Sequence, residues 1–451
     1  MMTAPILVAL GGCDSSPQSL GNSVVSVLRG ATPTPTEPRK ATLSISQTGG
    51  SPFQRDTLRN LNQAIPAERN VQVDPKPIDV SGTPADQQAD NYAQYIASAT
   101  NSDRPDVIAV TPAQLQAFAK ANVLLDLGPL LKVERWYKAG DFIGNILKVG
   151  QLRGKLLALP VQASAEVLLY SRQTFQSLGQ QTPKAEWTWD DALNAARAMT
   201  IRGRDAASTR WGFFINATTP SFVSLAWQRG AQVISDDGAQ IDITEPGTIQ
   251  AIEFLASMIL VHKVAAPLDQ LPAPDTARNA FPPAFTSLTT GQAAMASQIL
   301  PSVGIPWWRQ RDAMILAPLP STGHRVVLGS ADLLIAIPRK PNDEAHSLNS
   351  LRAILEAADR MMLMPTRQSG QTGQDPRMTN AGISPGDADT LTTSLSIARF
   401  VPGDLNITAQ MSKLLESELM VPVLTGRKAA LAAAQDVQQQ LQQTKAVQQD
   451  W

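Results

Sequence analysis

With 451 residues the chain is too long for one ordinary core, so two domains are expected. Its 43% hydrophobic and 17% charged residues describe a globular polypeptide rather than a disordered one. A formal net charge of −1, with 38 Lys and Arg scattered along the chain, excludes the clustered basic footprint of a nucleic-acid binder.

Cys13 is the only cysteine, which rules out an intrachain disulfide and a cysteine-based metal site. His262, His324 and His346 are too far apart in sequence to make a ligand-spaced pair, so neither a metal nor a cofactor is expected. No 18-residue apolar run occurs, so no membrane-spanning helix is predicted.

The first 13 residues hold a short apolar run, Pro5 to Leu10, followed by Gly11-Gly12-Cys13. This is similar to the h-region and lipobox of a bacterial lipoprotein signal, with Leu10 at −3, Gly12 at −1 and Cys13 as the lipid attachment site. Stable anchoring takes two acyl chains or more, and a diacylglyceryl-modified Cys13 would supply them. No positive charge precedes Pro5, as a secretory n-region requires, which implies a start further upstream. The alternative is an ordinary cysteine near a frayed terminus. Residues 14–40, rich in Ser, Thr, Pro and Gly, cannot build a core; their alternating prolines predict an extended tether.

Ala41–Ser46 reads as a strand, Gln47 to Pro52 as a turn, and Phe53–Ile65 as a helix with Leu58, Leu61 and Ile65 on one stripe. Val71–Val73 is a short strand, and Thr83-Pro84 opens a helix that buries Tyr92, Tyr95 and Ile96. Asp106–Val110 is a buried strand, and Thr111-Pro112 starts a helix from its carboxyl end. Such alternation predicts a parallel α/β lobe, whose ligands bind beyond the carboxyl ends of the strands. Gln47, Gly50, Ser51 and Thr111 lie there and are ligand-binding candidates.

Two apolar runs, Leu156–Val161 and Val167–Tyr170, flank the small polar segment Gln162–Glu166, which reads as the crossing between two lobes. Ligand sites favour such interfaces, so Gln162 and Glu166 join the candidates. Further on, Trp189–Thr200 is a helix capped near Thr188, and Asp190 and Asp191 in its first turn complement the dipole rather than serve catalysis. Asp236-Asp237-Gly238 makes a hairpin turn into Gln240–Ile243, and Thr244-Glu245-Pro246 begins a helix through about Val261. Gly329–Pro338 reads as one buried strand re-entering the first lobe, residues 366–390 as a long loop, and Gly426–Leu441 as a closing helix whose Gln-rich end, Gln438–Gln449, has no specific role.

Gly154-Lys155-Leu156-x-x-Leu159-Pro160, Leu168-Leu169-Tyr170-Ser171-Arg172-Gln173-Thr174-Phe175 and Trp187-Thr188-Trp189-Asp190-Asp191-Ala192-Leu193 together resemble the extracellular solute-binding proteins of family 1, the maltose-binding-protein-like receptors of bacterial ABC importers. Asp126 to Leu131, Gly291 to Met295 and the C-terminal helix add collinear likeness over roughly 41–365 and 405–442. The resemblance implies an α/β, two-lobe periplasmic-binding-protein-like fold of type II with a ligand cleft between hinge-linked lobes. The expected division is 41–162 for lobe 1, with 328–370 returning to it, and 163–327 for lobe 2, with 371–451 packing mainly on it. It also implies capture of a sugar or similar small polar solute, delivery to membrane permease subunits, no catalytic residues, a monomer, and residence in the cell envelope, lipid-anchored outside the cytoplasmic membrane or periplasmic.

Sugars are bound by aromatic faces and by planar hydrogen-bonding side chains. Trp227 stands where the family often places an aromatic platform, with core packing as the alternative. Trp307 and Trp308 are adjacent and would face opposite ways on a strand, so one of them is expected to line the cleft. Gly329, Ser330 and Asp332 complete the ligand-binding set; Asp332 would orient a hydroxyl or lie in a salt bridge. Two rival readings remain: a receptor fold with a degenerate pocket acting as scaffold or sensor, and a glycan-acting enzyme, whose paired carboxylates need not be neighbours in sequence.

Overall fold

The computed structural model describes residues 37–47, 60–80, 82–84, 87–100, 102–205, 208–215, 217, 220–234, 240–271, 283–300, 314–331, 333–361, 366–370, 383–401 and 413–449. Lys40–Trp451 form one compact unit, separate from Met1–Arg39. In chain order the described strands are β1 (Arg39–Gln47), β2 (Val71–Asp79), β3 (Val107–Val110), β4 (Gln151–Leu152), β5 (Lys155–Leu156), β6 (Leu159–Pro160), β7 (Ser164–Tyr170), β8 (Trp211–Phe214), β9 (Ala293–Ile299), β10 (Ile315–Ala317), β11 (Val327–Ser330), β12 (Leu334–Ala336) and β13 (Ala398–Phe400). They build one sheet of order β2-β1-β3-β12-β6 and a second of order β13-β11-β7-β9-β8, with β10 also paired to β7.

The first sheet is parallel at β1–β3 and antiparallel where β12 joins β3 and β6. All four residues of β3 are apolar and buried, the pattern of a strand covered on both faces. The helix Gln88–Ser98 sends the Tyr92 hydroxyl to Ser44 Oγ at 3.2 Å, and its ring meets Phe118 edge-on at 4.9 Å. The helix Glu344–Met361 packs against β2 and β3. At the edge, β2 carries Pro75, Lys76 and Pro77, which deny a further strand the hydrogen bonds it would need.

In the second sheet β7 is central, and all seven of its residues are buried. One of its sides is shared: β11 pairs with Ser164 and Ala165, and β10 with Leu168 to Tyr170. β9 runs along the other side from Glu166 to Tyr170. The helix Trp189–Met199 lies on β8 so closely that a Cβ on Gly212 would come 2.0 Å from the Ala196 carbonyl oxygen. The helix Pro220–Gln228 packs on Pro246–Leu260, which in turn receives Val421–Leu424 and Ala430–Gln449. A π-turn over Leu415–Met420 precedes Pro422, whose ring cannot fit the carbonyl spacing of a regular helix.

Several elements differ from the sequence expectation for local reasons. The crossing is shorter than Gln162–Glu166, because β7 begins at Ser164: its small residues pair with Gly329 and Ser330, and buried polarity does not end a strand whose backbone is satisfied. The single strand expected over Gly329–Pro338 is two, with Gly329 and Ser330 ending β11 in the second sheet and β12 starting in the first. The helix after Thr83-Pro84 starts only at Gln88. The second strand extends to Asp79, and Gln240–Ile243 supplies only an Ile234–Ile241 bridge. Within 366–390 lies the start of a helix, Pro385–Ser396, capped by Ser384 Oγ on the Asp387 amide. Gln438 is not idle: it accepts from the Ile243 amide at 3.1 Å and donates to the Ile241 carbonyl at 2.9 Å. The Asp236-Asp237-Gly238 turn and most of Phe53–Ile65 lie outside the described residues.

Asn145 closes β13 like a missing strand neighbour, donating to the Phe400 carbonyl and accepting from its amide, both at 2.8 Å. Replacing it by Ala strands both backbone groups in a half-buried place, at about 1–3 kcal/mol for each unsatisfied group. Asn145→Ala is therefore expected to lower unfolding free energy in urea by about 2 kcal/mol, and an unchanged midpoint would show that water replaces the side chain without cost.

Candidate functional site

Two short links join the sheets. Val161–Ala163 leaves β6 for β7, and Ala331–Leu333 leaves β11 for β12. They run side by side: Ser330 pairs with Ser164 on one bank, Leu334 pairs with Pro160 on the other, and the Val161 amide donates to the Leu333 carbonyl at 3.1 Å. Leu334 also pairs with Val110, so the carboxyl end of β3 opens onto the same links, and parallel β1 ends in the same direction. This topology gathers Gln162, Glu166, Gly329, Ser330, Thr111 and the end of β1 at Gln47 around one junction. Gly50, Ser51, Trp307, Trp308, Asp332 and Cys13 lie outside the described residues.

The polar atoms at the junction divide into spent and unspent. Thr111 caps the helix Pro112–Lys120, its amide donating to Gln114 Oε1 at 2.9 Å in a capping box. Gly329 has a packing reason to be glycine, because a Cβ there would lie 2.6 Å from the Phe400 ring. By contrast, among the described residues Gln162, 2% exposed, has no partner for Oε1, and the fully buried Ser164 has none for its hydroxyl. Burying a polar atom unpaired costs roughly 1–3 kcal/mol, so each such atom needs a reason.

Trp227 sits in the last turn of the helix Pro220–Gln228. It is buried, its ring lies 4.9 Å from the Arg399 guanidinium carbon, and its Nε1 also lacks a partner among the described residues. A cation therefore occupies one face of the indole. Trp189 is core, donating from Nε1 to Gln228 Oε1 at 2.9 Å, and Asp191 caps its helix through Thr188. The hydrogen bonds from Thr188 hold the Asp191 carboxyl below the usual range.

Glu166 is the ionisable group of the junction, 3% exposed on β7. Ser224 donates its hydroxyl hydrogen to Glu166 Oε2 and accepts from the Leu328 amide at 2.8 Å, so one serine ties β7, β11 and a helix together. Burial pushes the carboxyl up to about 7, against the opposing hydrogen bonds from Ser224 and Ser297. Sequence reading missed both serines. The one available signal for Ser224 is a lone hydroxyl inside the apolar run Phe222-Val223-Ser224-Leu225-Ala226-Trp227.

A pocket lined by Thr209, Trp211, Phe214, Gln270 and Gln292 lies at the β8 edge. It belongs to neither link. Among the described residues no cluster of His, Cys, Asp and Glu could hold a metal ion, and no helix is long and apolar enough to cross a membrane.

A family model described as bacterial extracellular solute-binding protein matches residues 67–346. Among solved structures, the sugar-binding protein MalE from Xanthomonas citri superposes with a TM-score of 0.67 at 14% identity, over 91% of this chain and 98% of its own. UgpB from Mycobacterium tuberculosis, in complex with glycerophosphocholine, gives 0.66 at 18%, over 91% and 99%. The ABC substrate-binding protein Lmo0181 from Listeria monocytogenes, in complex with cycloalternan, gives 0.66 at 18%, over 90% and 99%. At these identities the likeness establishes the fold, a two-lobe α/β architecture. A protein of Brucella abortus (strain 2308) described as a binding protein is 28% identical over 120 residues, 27% of this chain and 28% of its own length. The chain thus aligns with little more than a quarter of that curated relative.

Because the folded state holds Glu166 protonated up to about 7 while an unfolded carboxyl ionises near 4.5, native stability falls as pH rises between those values and is level above them. The penalty is on the order of 3 kcal/mol. Glu166→Gln is expected to match the parent in urea unfolding at pH 4.5 and to exceed it at pH 8. Equal stability at pH 8 would mean that the carboxylate is paid for by a cation.

Proposed function

We propose, from the premise that this chain belongs to the bacterial extracellular solute-binding protein family, that it is the ligand-capturing receptor of an ABC importer and takes a sugar or similar small polar solute. The observation that carries this reading is the pair of buried polar atoms with no partner among the described residues, Gln162 Oε1 on the first link between the sheets and Ser164 Oγ at the start of β7 just past it. A ligand that bonds them would replace water without leaving an unpaired charge. Both groups are neutral, and burial holds Glu166 toward its neutral form, which suits hydroxyls better than an anionic group.

The links Val161–Ala163 and Ala331–Leu333 act as the hinge. The lobes close around the solute because only the closed form makes both sets of contacts, and the closed face is what the permease subunits engage. Cys13 carries the lipid, residues 14–40 tether the receptor to the outer face of the membrane, and the chain works as a monomer. The chain binds its solute without turning it over; its family and its structural neighbours are binding proteins. Gln47, Gly50, Ser51, Thr111, Trp307, Trp308, Ser330 and Asp332 belong to the same cleft in this reading. Trp227 reaches the ligand through Nε1 rather than by stacking, since Arg399 already covers its ring.

A thermal-shift screen of the full chain against mono-, di- and oligosaccharides, polyols and glycerol phosphodiesters tests the assignment. A hundredfold excess over Kd is worth about 2.7 kcal/mol, well above detection. One class is expected to give a saturable rise, and Gln162→Ala and Ser164→Ala are each expected to weaken it about tenfold, equivalent to ~1.4 kcal/mol. A folded protein that no class shifts would instead mark a retired cleft and a scaffolding or sensing role.

A further inference from the structure

Among the described residues five large hydrophobic side chains are strongly exposed, and four of them gather on one face of the second-sheet half: Ile201 at 44%, Leu260 at 42%, Val261 at 70% and Leu431 at 48%. Direct contacts stitch this face together. Arg202 donates to the Lys263 carbonyl at 2.9 Å, joining the segment after the helix Trp189–Met199 to the end of Pro246–Leu260. Arg197 bonds His262 Nδ1 at 2.9 Å, and since guanidinium only donates, that nitrogen accepts. Gly426 backs onto Leu260, 3.4 Å from its Cδ1 to a Cβ built there, which brings Arg427 and the helix starting at Ala430 alongside.

The same face is basic. Arg197, Arg202, Arg204, Lys263 and Arg427 are all exposed on it. The hydrogen-bond partners of Arg197, Arg202 and Arg427 are neutral: Asn194, His262, the Lys263 carbonyl and Thr425. Asp205, exposed beside Arg204, accepts from Ser208 and keeps its negative charge, Lys428 is paired with Asp436, and Glu253 lies about two turns back along its helix, so the five exposed cations still outnumber the carboxylates beside them. The carboxyl ends of two helices offset only part of the positive charge. A solvated face would carry the cations without the exposed Leu, Ile and Val. Exposed apolar groups gathered in one place mark an interaction site.

We infer that this face, built from residues 197–204, 260–263 and 426–431, rests on an anionic lipid bilayer. Long cationic stems reach the headgroup phosphates, and Ile201, Leu260, Val261 and Leu431 enter between them, as on interfacial amphipathic surfaces. The occupant fits on both counts, charge and apolar insertion, whereas an acidic protein surface would account for the charge alone. The inference is independent of which solute the cleft takes.

The full chain, co-sedimented with vesicles of 30 mol% phosphatidylglycerol in phosphatidylcholine and with pure phosphatidylcholine, tests it. The pure vesicles measure whatever the apolar run at Pro5–Leu10 contributes. Preferential binding to the anionic vesicles is expected, weakening with salt. The combined variant Arg204→Gln, Lys263→Gln, Arg427→Gln is expected to lower that partition on the order of 100-fold, at roughly 1 kcal/mol for each charge near the surface. Val261→Ser is expected to lower it several-fold at unchanged charge and unchanged melting temperature. No preference for anionic vesicles, or equal partition of the triple variant, overturns the inference. So does undiminished binding by Val261→Ser combined with equal affinity for soluble polyglutamate, which would assign the face to an acidic protein.

Discussion

A carboxyl group with almost no access to water must find its hydrogen bonds inside the protein, and for Glu166 those bonds come from the elements flanking the sheet-to-sheet links. Ser224 reaches it from a helix and at the same time takes the Leu328 amide from β11. Ser297 reaches it from β9. The strand that follows the first link and the strand that precedes the second are thereby fixed to each other through a single hydroxyl. Each link is three residues long, too short to absorb an independent shift of either strand. Any rotation of one sheet against the other therefore has to be taken up by the links themselves, with the hub below them moving as one piece.

That rigidity explains the uneven fate of the polar groups nearby. Those that organise the scaffold are fully engaged: Thr111 in its cap, Gln228 between Trp189 and the Val326 carbonyl, Asn145 against β13. Gln162 on the first link and Ser164 just past it are buried, and Gln162 Oε1 and the Ser164 hydroxyl meet no partner among the described residues. Such atoms are not confined to the junction, since Thr248, Ser347 and Ser394 also bury an unpaired hydroxyl among the described residues, but only Gln162 and Ser164 stand beside the passage between the sheets.

Much of this was legible in the sequence wherever a local rule carried it. Val107 to Val110 is apolar at every position and became a covered strand; Thr188 with Asp191 became a capping box; the run from Gly154 to Tyr170 announced the passage between sheets. Family likeness then supplied the architecture that periodicity alone could not. What escaped was long-range pairing. Nothing in Ser330-Ala331-Asp332-Leu333 signals that one sheet ends and another begins there, because both strands are short and apolar. Ser224 is a lone hydroxyl in an apolar run, and Gln438 stands in a Gln-rich end, with nothing local to mark either, since their partners Glu166 and Ile243 lie 58 and 195 residues away. For Trp227 the family likeness suggests an aromatic platform, whereas its surroundings are set by Arg399, far along the chain.

The pairing of β13 with β11, reinforced by Asn145 across a separation of 255 residues, also bears on how the molecule is made. The second sheet draws its strands from β7 at residue 164 to β13 at residue 400, so it cannot be completed as the chain emerges from the ribosome. Until the last strand arrives, β11 presents a bare edge of the kind that recruits foreign strands. Contacts of such sequence separation form late and slowly. A chain interrupted before Ala398 would therefore lose more than a peripheral strand: it would keep most of its core and expose a template for aggregation, which makes the stretch from Ala398 onward the part on which safe synthesis depends.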